Sequence, residues 1–360
     1  MKIISFVGTR PEIIKNLAFC RAASLFKDLE FLVIYTGQNF GPAMSDCFFE
    51  ELEIPLADKN TELDRRSMGT IAQSLLDYIS GCIRNFQPEI VISNTDTDTA
   101  FYTALAGARL GIPVAHIEGG IRCEARLNPE EINRCLADHL SDWIFAISEE
   151  DMVSLKNEGF SDDRLFMLGD VTLDVLKIIT QEYRIEITQG DYNLLTIHRR
   201  ENVDNPERLS AIFRAVEKGG IRTIFPAHPR TLNALRSSGL IDEIQHSKII
   251  EMKNPLSYVE MIRLVAGSRK VISDSGGLRR EAYLLNKPVI SLVWFIWFKK
   301  MHDLGFEFNA DADEDRILWA IKYFNPIGIR PPLFGDGRAA QYILKTLVTK
   351  EIATPRCPRL

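Results

Sequence analysis

Short apolar runs alternate along the chain with longer stretches in which apolar residues recur every three or four positions. The first set of runs is 2–7, 31–36, 90–93, 113–117 and 143–147, and the second is 193–197, 222–226, 248–251, 270–273 and 288–292. A continuous apolar run of this length predicts a strand buried on both faces, and the helical pattern that follows predicts a parallel crossover. Right-handed crossovers wind such strands into doubly wound sheets with helices on both sides. The pattern therefore predicts an α/β protein with two Rossmann-like doubly wound domains.

The alternation pauses between 169 and 192. Gly169-Asp170 closes one unit, and Thr188-Gln189-Gly190-Asp191 reads as a turn before a new strand. This predicts an N-terminal domain at 1–170, a connection at 171–190, a C-terminal domain at 191–337, a last helix at 338–353 and a Pro-rich basic tail at 354–360. A length of 360 residues suits two domains of this type. No apolar stretch reaches membrane-spanning length; Val289–Phe298 comes nearest, and Met1–Val7 is too short for a signal-peptide core.

Charge narrows the function classes. A net charge of −6 at pH 7 and a pI near 5.7 leave no basic excess for nucleic acid or an anionic membrane. An anionic ligand then needs a local positive site. The six cysteines, at 20, 47, 82, 123, 135 and 357, form no C-x-x-C pair and fit neither a zinc site nor a disulfide framework. They read as reduced thiols of a cytoplasmic protein.

Ligands of open α/β sheets bind at the carboxyl ends of the strands, and the unusual polar residues gather there. Gly8-Thr9-Arg10-Pro11-Glu12-Ile13-Ile14-Lys15 follows the first strand. Pro11 suits a first helical turn, whose free N–H groups face the strand end; Arg10 and Lys15 either add charge for a phosphate or sit on the surface of an ordinary turn. In Asn94-Thr95-Asp96-Thr97-Asp98-Thr99, an Asp can act as a base, or an Asp or Thr caps the next helix. Glu118, in His116-Ile117-Glu118-Gly119-Gly120-Ile121-Arg122, directly follows a buried strand, a costly place for a charge. It is either an acid–base group whose pKa burial raises, or half of an ion pair with Arg122. Pro129 opens a helix on which Glu130 and Arg134 share a face. Glu130 is then a second carboxylate beside Glu118, or, with Glu131, merely a favourable charge in a first turn.

The second half has two such places. His198, in His198-Arg199-Arg200-Glu201-Asn202, can contact a phosphate or a sugar, or be structural. Ser273-Asp274-Ser275-Gly276-Gly277-Leu278-Arg279-Arg280-Glu281 reads as strand, glycine turn and helix. There Ser275 and the N–H groups of Gly276 and Gly277 can cradle a pyrophosphate, and Glu281 can accept from ribose hydroxyls.

Together these residues resemble the non-hydrolysing UDP-N-acetylglucosamine 2-epimerase family, from Met1 to about Leu347. The landmarks are residues 8–12, Thr36-Gly37-Gln38, 116–122, 129–134, 198–202, 274–277 and Gly335-Asp336-Gly337-Arg338-Ala339. The resemblance implies a GT-B-like fold whose two domains face a cleft, with UDP held mainly by the second. It implies anti elimination of UDP to a 2-acetamidoglucal, then UDP re-addition after inversion at C2. That chemistry needs no nicotinamide or other cofactor and no metal. The resemblance further implies a cytoplasmic homodimer that feeds surface polysaccharide synthesis. Mapped onto this chain, Asp96, Glu118, Glu130 and His198 are the catalytic set. Arg10, Lys15, Gln38, Arg134, His228, Ser275, Gly276, Gly277 and Glu281 bind substrate, with Arg134 orienting Glu130 and Glu281 holding the ribose.

The chain also departs from the family pattern. Thr95 stands where relatives have Gly, Asn39 where they have His, and Met261 at a position that is aromatic in them. Val293-Trp294-Phe295-Ile296-Trp297-Phe298-Lys299-Lys300 replaces Arg-x-x-Thr-Glu-Arg-Pro-Glu, so Val293 and Phe298 take the places of two arginines. Arg279-Arg280 replaces Gln-Glu, and one of these two is expected to substitute for the lost arginines. The apolar run either packs beneath the cleft or at a subunit contact, or is an exposed patch for an aglycone or lipid-linked acceptor. Three alternatives to an epimerase follow: a hydrolysing relative that releases UDP and free sugar, a GT-B glycosyltransferase, and a non-catalytic UDP-sugar sensor. Retention of Asp96, Glu118, Glu130 and His198 together argues against the sensor.

Overall fold

Lys2–Val7 is apolar apart from Lys2 and Ser5, and it forms the buried strand β1. The computed structural model describes residues 1–38, 46–122, 128–296, 298–326 and 330–349. The chain divides into two units: Met1–Lys177 with the described residues from Pro332 onward, and Ile178–Pro331. The boundary between Lys177 and Ile178 lies within α7, and residues 332–337, expected in the C-terminal domain, group with the first unit.

In the first unit β1 is followed by α1 (Arg10–Ala23), β2 (Glu30–Tyr35), α2 (Asp46–Glu51), β3 (Asp58–Lys59), α3 (Met68–Phe86), β4 (Ile90–Asn94) and α4 (Asp98–Leu110). Then come β5 (Val114–Ile117), α5 (Pro129–Leu140), β6 (Trp143–Ala146), α6 (Glu149–Asn157), β7 (Leu165–Met167) and α7 (Val171–Glu182). The strands make one parallel sheet in the order β3-β2-β1-β4-β5-β6-β7. Ile4, Phe6, Ile34, Val91 and Val114 from the strands pack with Leu75 and Ile79 of α3 and Ala104 of α4. Each of these Val, Leu, Ile and Phe side chains contributes roughly 1.5–3 kcal/mol on full burial.

The second unit runs β8 (Asn193–Thr196), α8 (Arg200–Val203), α9 (Pro206–Gly219), β9 (Thr223–Pro226), α10 (Pro229–Ser237), α11 (Ile241–Gln245) and β10 (Ile250–Lys253). It continues with α12 (Tyr258–Gly267), β11 (Lys270–Ser273), α13 (Gly276–Leu284), β12 (Val289–Ser291), α14 (Lys299–Asp303), β13 (Glu307–Asn309) and α15 (Glu314–Tyr323). Its parallel sheet has the order β10-β9-β8-β11-β12-β13. Leu195, Phe225, Ile272 and Ile290 of the strands pack with Ile212 and Phe213 of α9 and Ile317 of α15. A final helix, α16 (Ala339–Thr349), belongs to the first unit. Asp174 of α7 accepts from the N–H groups of Ala339 (3.0 Å) and Ala340 (2.7 Å), which fixes its start.

The α/β class and the two Rossmann-like sheets expected from the pattern are those observed. Strand order reverses at β1/β4 in one sheet and at β8/β11 in the other, the points where open α/β sheets hold ligands. Three strands escaped the pattern: β3, β7 and β13. They are two or three residues long, at or beside the sheet margins. β10 begins two residues later than the apolar run suggested. Asn39, Cys123, Trp297, Cys357 and the tail from 354 lie outside the described residues. Cys20, Cys47, Cys82 and Cys135 are free thiols.

Candidate active site

In the first unit the loops after β1, β4 and β5 come together, and Gly8 allows it. A Cβ at Gly8 would lie 2.0 Å from Thr99 Oγ1 and 2.8 Å from both Gln38 Cβ and Thr36 Oγ1. Thr36 and Thr99 hydroxyls share a 2.7 Å hydrogen bond. Gln38, expected at the ligand, uses its side-chain oxygen to accept from the Thr99 N–H (2.9 Å) and O–H (2.8 Å). The Arg10 guanidinium lies 4.8 Å over the Phe48 ring.

Lys15 and Glu118 are joined. Lys15 Nζ is 2.5 Å from Glu118 Oε1, and both side chains are buried. The charge that Glu118 needs therefore comes from α1. The Arg122 expected as its partner instead pairs with Asp138 (2.8 Å) and Glu158 (2.6 Å). Asp96 forms an ion pair with Arg134, which also pairs with Glu131 at 2.7 Å. This corrects the expectation that Arg134 orients Glu130. On α5, Glu131 turns inward with Arg134, whereas Glu130 is exposed. Asn133 adds a further clamp, donating to Asp98 Oδ1 (3.0 Å) and to the Asp96 carbonyl (3.2 Å).

A buried polar layer supports these groups. His116 places Nδ1 2.7 Å from Asp138 Oδ1 and Nε2 2.6 Å from the Thr95 carbonyl. Burial alone would raise Asp138, but His116 and Arg122 outweigh it and hold its carboxyl below the usual range. Thr95 and Glu118 have φ of 63° and 65°, a region that L-residues other than Gly seldom adopt, and a β-branched one least of all. Backbone bonds from Thr95 N–H to Ile117 O (3.0 Å) and from Glu118 N–H to Phe145 O (3.0 Å) hold both. Strained residues of this kind persist where the surroundings over-determine them, often at functional sites.

In the second unit the organiser is Asp274, fully buried after β11. It accepts from the N–H groups of His198 (3.1 Å) and Arg199 (3.0 Å) and from Asn202 Nδ2 (3.1 Å). The loop after β8 is thereby tied to the loop after β11. His198 is 41% exposed at its side chain, with Nδ1 3.5 Å from Asp274 Oδ1. Its ring lies 5.8 Å from that of His228, which is exposed and accepts the Arg230 N–H at Nδ1 (3.1 Å). Ser275 caps α13 by accepting from Leu278 N–H (3.3 Å), and a Cβ at Gly277 would point into open space. Glu281 accepts from the buried Tyr258 hydroxyl at 2.9 Å.

Arg279 needs a correction. It was expected beside a pyrophosphate, but its guanidinium is fully buried and bonds Glu307 and Ser291 on the neighbouring strands. Arg280 is mostly buried, with its guanidinium 5.7 Å over the Phe298 ring. Val293 is buried, while Trp294 is 59% exposed. Among the described residues no group of three or more His, Cys, Asp or Glu side chains is placed to hold a metal ion.

Comparison with known proteins identifies the family and the fold. The profile of the family described as UDP-N-acetylglucosamine 2-epimerase matches residues 22–348. The chain belongs to this family. It is 34% identical over 358 residues to a protein of Methanococcus maripaludis named UDP-N-acetylglucosamine 2-epimerase homolog, covering 96% of this chain and 99% of the relative. It is 35% identical over 357 residues to the UDP-2,3-diacetamido-2,3-dideoxy-D-glucuronate 2-epimerase of Pseudomonas aeruginosa, covering 96% and 99%. The crystal structure of the Methanocaldococcus jannaschii UDP-GlcNAc 2-epimerase with UDP-GlcNAc and UDP superposes with a TM-score of 0.86 at 31% identity, covering 97% of this chain and 100% of that one. The chain is accordingly a UDP-sugar 2-epimerase, an isomerase.

Three carboxylates of this epimerase's polar framework carry no role of their own in the sequence. Asp138 looks ordinary there, Asp274 stands in the 274–277 landmark without a function attached, and only their place under the loops shows their role. Glu12 is the third, although Thr9-x-x-Glu12 carries the spacing of a capping box. Glu12 is fully buried and accepts from the N–H groups of Gly8 (2.7 Å) and Thr9 (2.8 Å) and from the Thr97 hydroxyl (2.6 Å). Burial pushes its carboxyl up to about 7, against the pull of these hydrogen bonds.

Proposed function

We propose that this epimerase interconverts UDP-2-acetamido sugars of the UDP-N-acetylglucosamine and UDP-N-acetylmannosamine type. A carboxylate takes the C2 proton, and the C1–O bond breaks with its electron pair leaving on UDP. A proton then returns to the opposite face of C2, and UDP re-adds at C1. Inversion needs two differently placed acid–base groups. The observation that carries the reading is that Asp96 and Glu118, at the ends of β4 and β5, are each paired with a separate cation, Arg134 and Lys15.

In this reading Asp96, Glu118 and the exposed Glu130 act at the sugar, with His198 toward the leaving UDP. Arg10 and the Ser275-Gly276-Gly277 turn bear on the phosphates, Lys15 holds Glu118, Glu281 bears on the ribose, and His228 on the substrate beside His198. Arg280 is the remaining candidate for the lost arginines. The family resemblance supports a cytoplasmic homodimer that feeds surface polysaccharide synthesis. Among the described residues no helix is long and apolar enough to cross a membrane.

Incubation with UDP-N-acetylglucosamine, followed by chromatography, tests the reading. A second UDP-hexosamine with total nucleotide sugar conserved is expected; stoichiometric UDP and free sugar would make the chain the hydrolysing type. The Pseudomonas relative's name makes the UDP-2,3-diacetamido-2,3-dideoxy-D-glucuronate pair the second substrate to try.

A further inference from the structure

The loop that carries Asp96 is held on both sides. On one side, the Thr95 carbonyl lies 2.6 Å from His116 Nε2, and the Thr95 N–H donates to Ile117 O at 3.0 Å. On the other, the Thr97 hydroxyl donates to Glu12 Oε1 at 2.6 Å, while the Thr95 hydroxyl lies 3.5 Å from the same oxygen. The other carboxyl oxygen, Oε2, faces the Gly8 and Thr9 N–H groups and the Thr9 hydroxyl at 2.7, 2.8 and 3.1 Å. One carboxyl group thus connects the loop after β1 to the loop after β4. Glu12 is fully buried, so its carboxyl meets little competition from water for the bond to the half-buried Thr97. Thr97 also caps α4, accepting from the Ala100 N–H at 3.1 Å.

We infer that Glu12 is the positioning residue for Asp96: through Thr97 it sets the path of the loop between β4 and α4, and so the place of the Asp96 carboxylate against Arg134. Glu12 itself touches no substrate. The inference rests on the epimerase reading of Asp96, and it adds a residue to which that reading gave no role. A carboxylate misplaced by about 1 Å is enough to slow a proton transfer by one to two orders of magnitude. The binding residues of the second unit are untouched by such a shift, so the effect falls on kcat rather than on KM.

The test is Glu12→Gln in the full chain. The Gln side-chain oxygen still accepts from the Gly8 and Thr9 N–H groups, but its NH2 group no longer accepts from the Thr97 hydroxyl. At about pH 8.5, above the value of about 7 to which burial raises Glu12, the expected result is a kcat about tenfold lower with KM within about threefold. Amide hydrogen exchange over residues 93–100 is expected to be about tenfold faster, with the remaining peptides unchanged. Thr97→Ala gives at least as great a loss, since it also removes the α4 cap, Thr97→Ser restores activity, and the Glu12→Gln/Thr97→Ala double variant is no worse than Thr97→Ala alone, because the two changes share the Glu12–Thr97 contact. A Glu12→Gln enzyme within about twofold of wild type in both kcat and loop exchange overturns the inference, as do losses that multiply in the double variant. A wild-type protein inert toward UDP-sugars would reject the epimerase reading instead, and loop exchange would still decide the role of Glu12.

Discussion

Lys15 Nζ and Glu118 Oε1 lie 2.5 Å apart, with side chains only 6% and 7% exposed. A pair this buried stays favourable only while both charges are present. Glu118→Gln strands the Lys15 ammonium, and removal of one partner of a buried pair costs about 3–5 kcal/mol. Urea denaturation is expected to show that loss, and Lys15→Met in the same chain to recover part of it. Exchange at C2 falls in Glu118→Gln by about 10²–10⁴-fold; full activity would remove Glu118 from the chemistry.

Glu12 gives a pH dependence whose sign is fixed. Its carboxyl titrates at 4.5 in the unfolded chain and at about 7 in the fold. The folded protein therefore holds an extra proton between these values. The stability this contributes is complete below 4.5 and is lost as the pH rises through about 7. Glu12→Gln cannot titrate. Its stability relative to wild type should rise between about pH 5 and pH 8, by an amount on the order of 3 kcal/mol. Denaturation curves of the two proteins across that range check it; a constant difference would contradict it.

The site was partly legible because its residue types are exceptional where they stand. An acid directly after a buried strand, as at Glu118, or a glycine at a strand end, as at Gly8, is costly or permissive enough to be noticed. Pairings were not legible in the same way. Glu118 takes its cation from α1, which no local spacing encodes. Arg134 has acidic neighbours both three and four residues away, and only the tertiary position of Asp96 selects the inward face carrying Glu131. The counter-charge of Arg279, Glu307, lies on β13, a three-residue strand with too short a signal to predict. The central strands, by contrast, are buried on both faces and read directly as apolar runs.

Arg279 is therefore a stability residue of the second unit. Arg279→Ala leaves Glu307 buried without its ion pair and is expected to destabilise by about 3–5 kcal/mol. UDP affinity of the folded fraction, measured by calorimetry, should stay within about twofold of wild type. A large loss of affinity with stability intact would return Arg279 to the phosphate site.

Asp274 is expected to behave differently. Asp274→Ala removes the acceptor for His198 N–H, Arg199 N–H and Asn202 Nδ2 together. Hydrogen bonds to a buried charge are worth about 1.5–3 kcal/mol each. The expected result is a lower melting temperature together with UDP affinity reduced about tenfold or more, because the loops after β8 and β11 lose their shared anchor. Unchanged UDP affinity in the folded protein would separate these loops from nucleotide binding.

Elimination and re-addition of UDP require the C2 hydrogen to leave the sugar and a solvent hydrogen to take its place. The direct measurement is incubation of the protein with UDP-N-acetylglucosamine in deuterated water, followed by NMR of the sugar. Deuterium is expected at C2 in UDP-sugars of both configurations, with the nucleotide still attached and with exchange in Glu118→Gln slowed by about 10²–10⁴-fold. Interconversion without deuterium at C2, or release of UDP and free sugar as the main outcome, would contradict it.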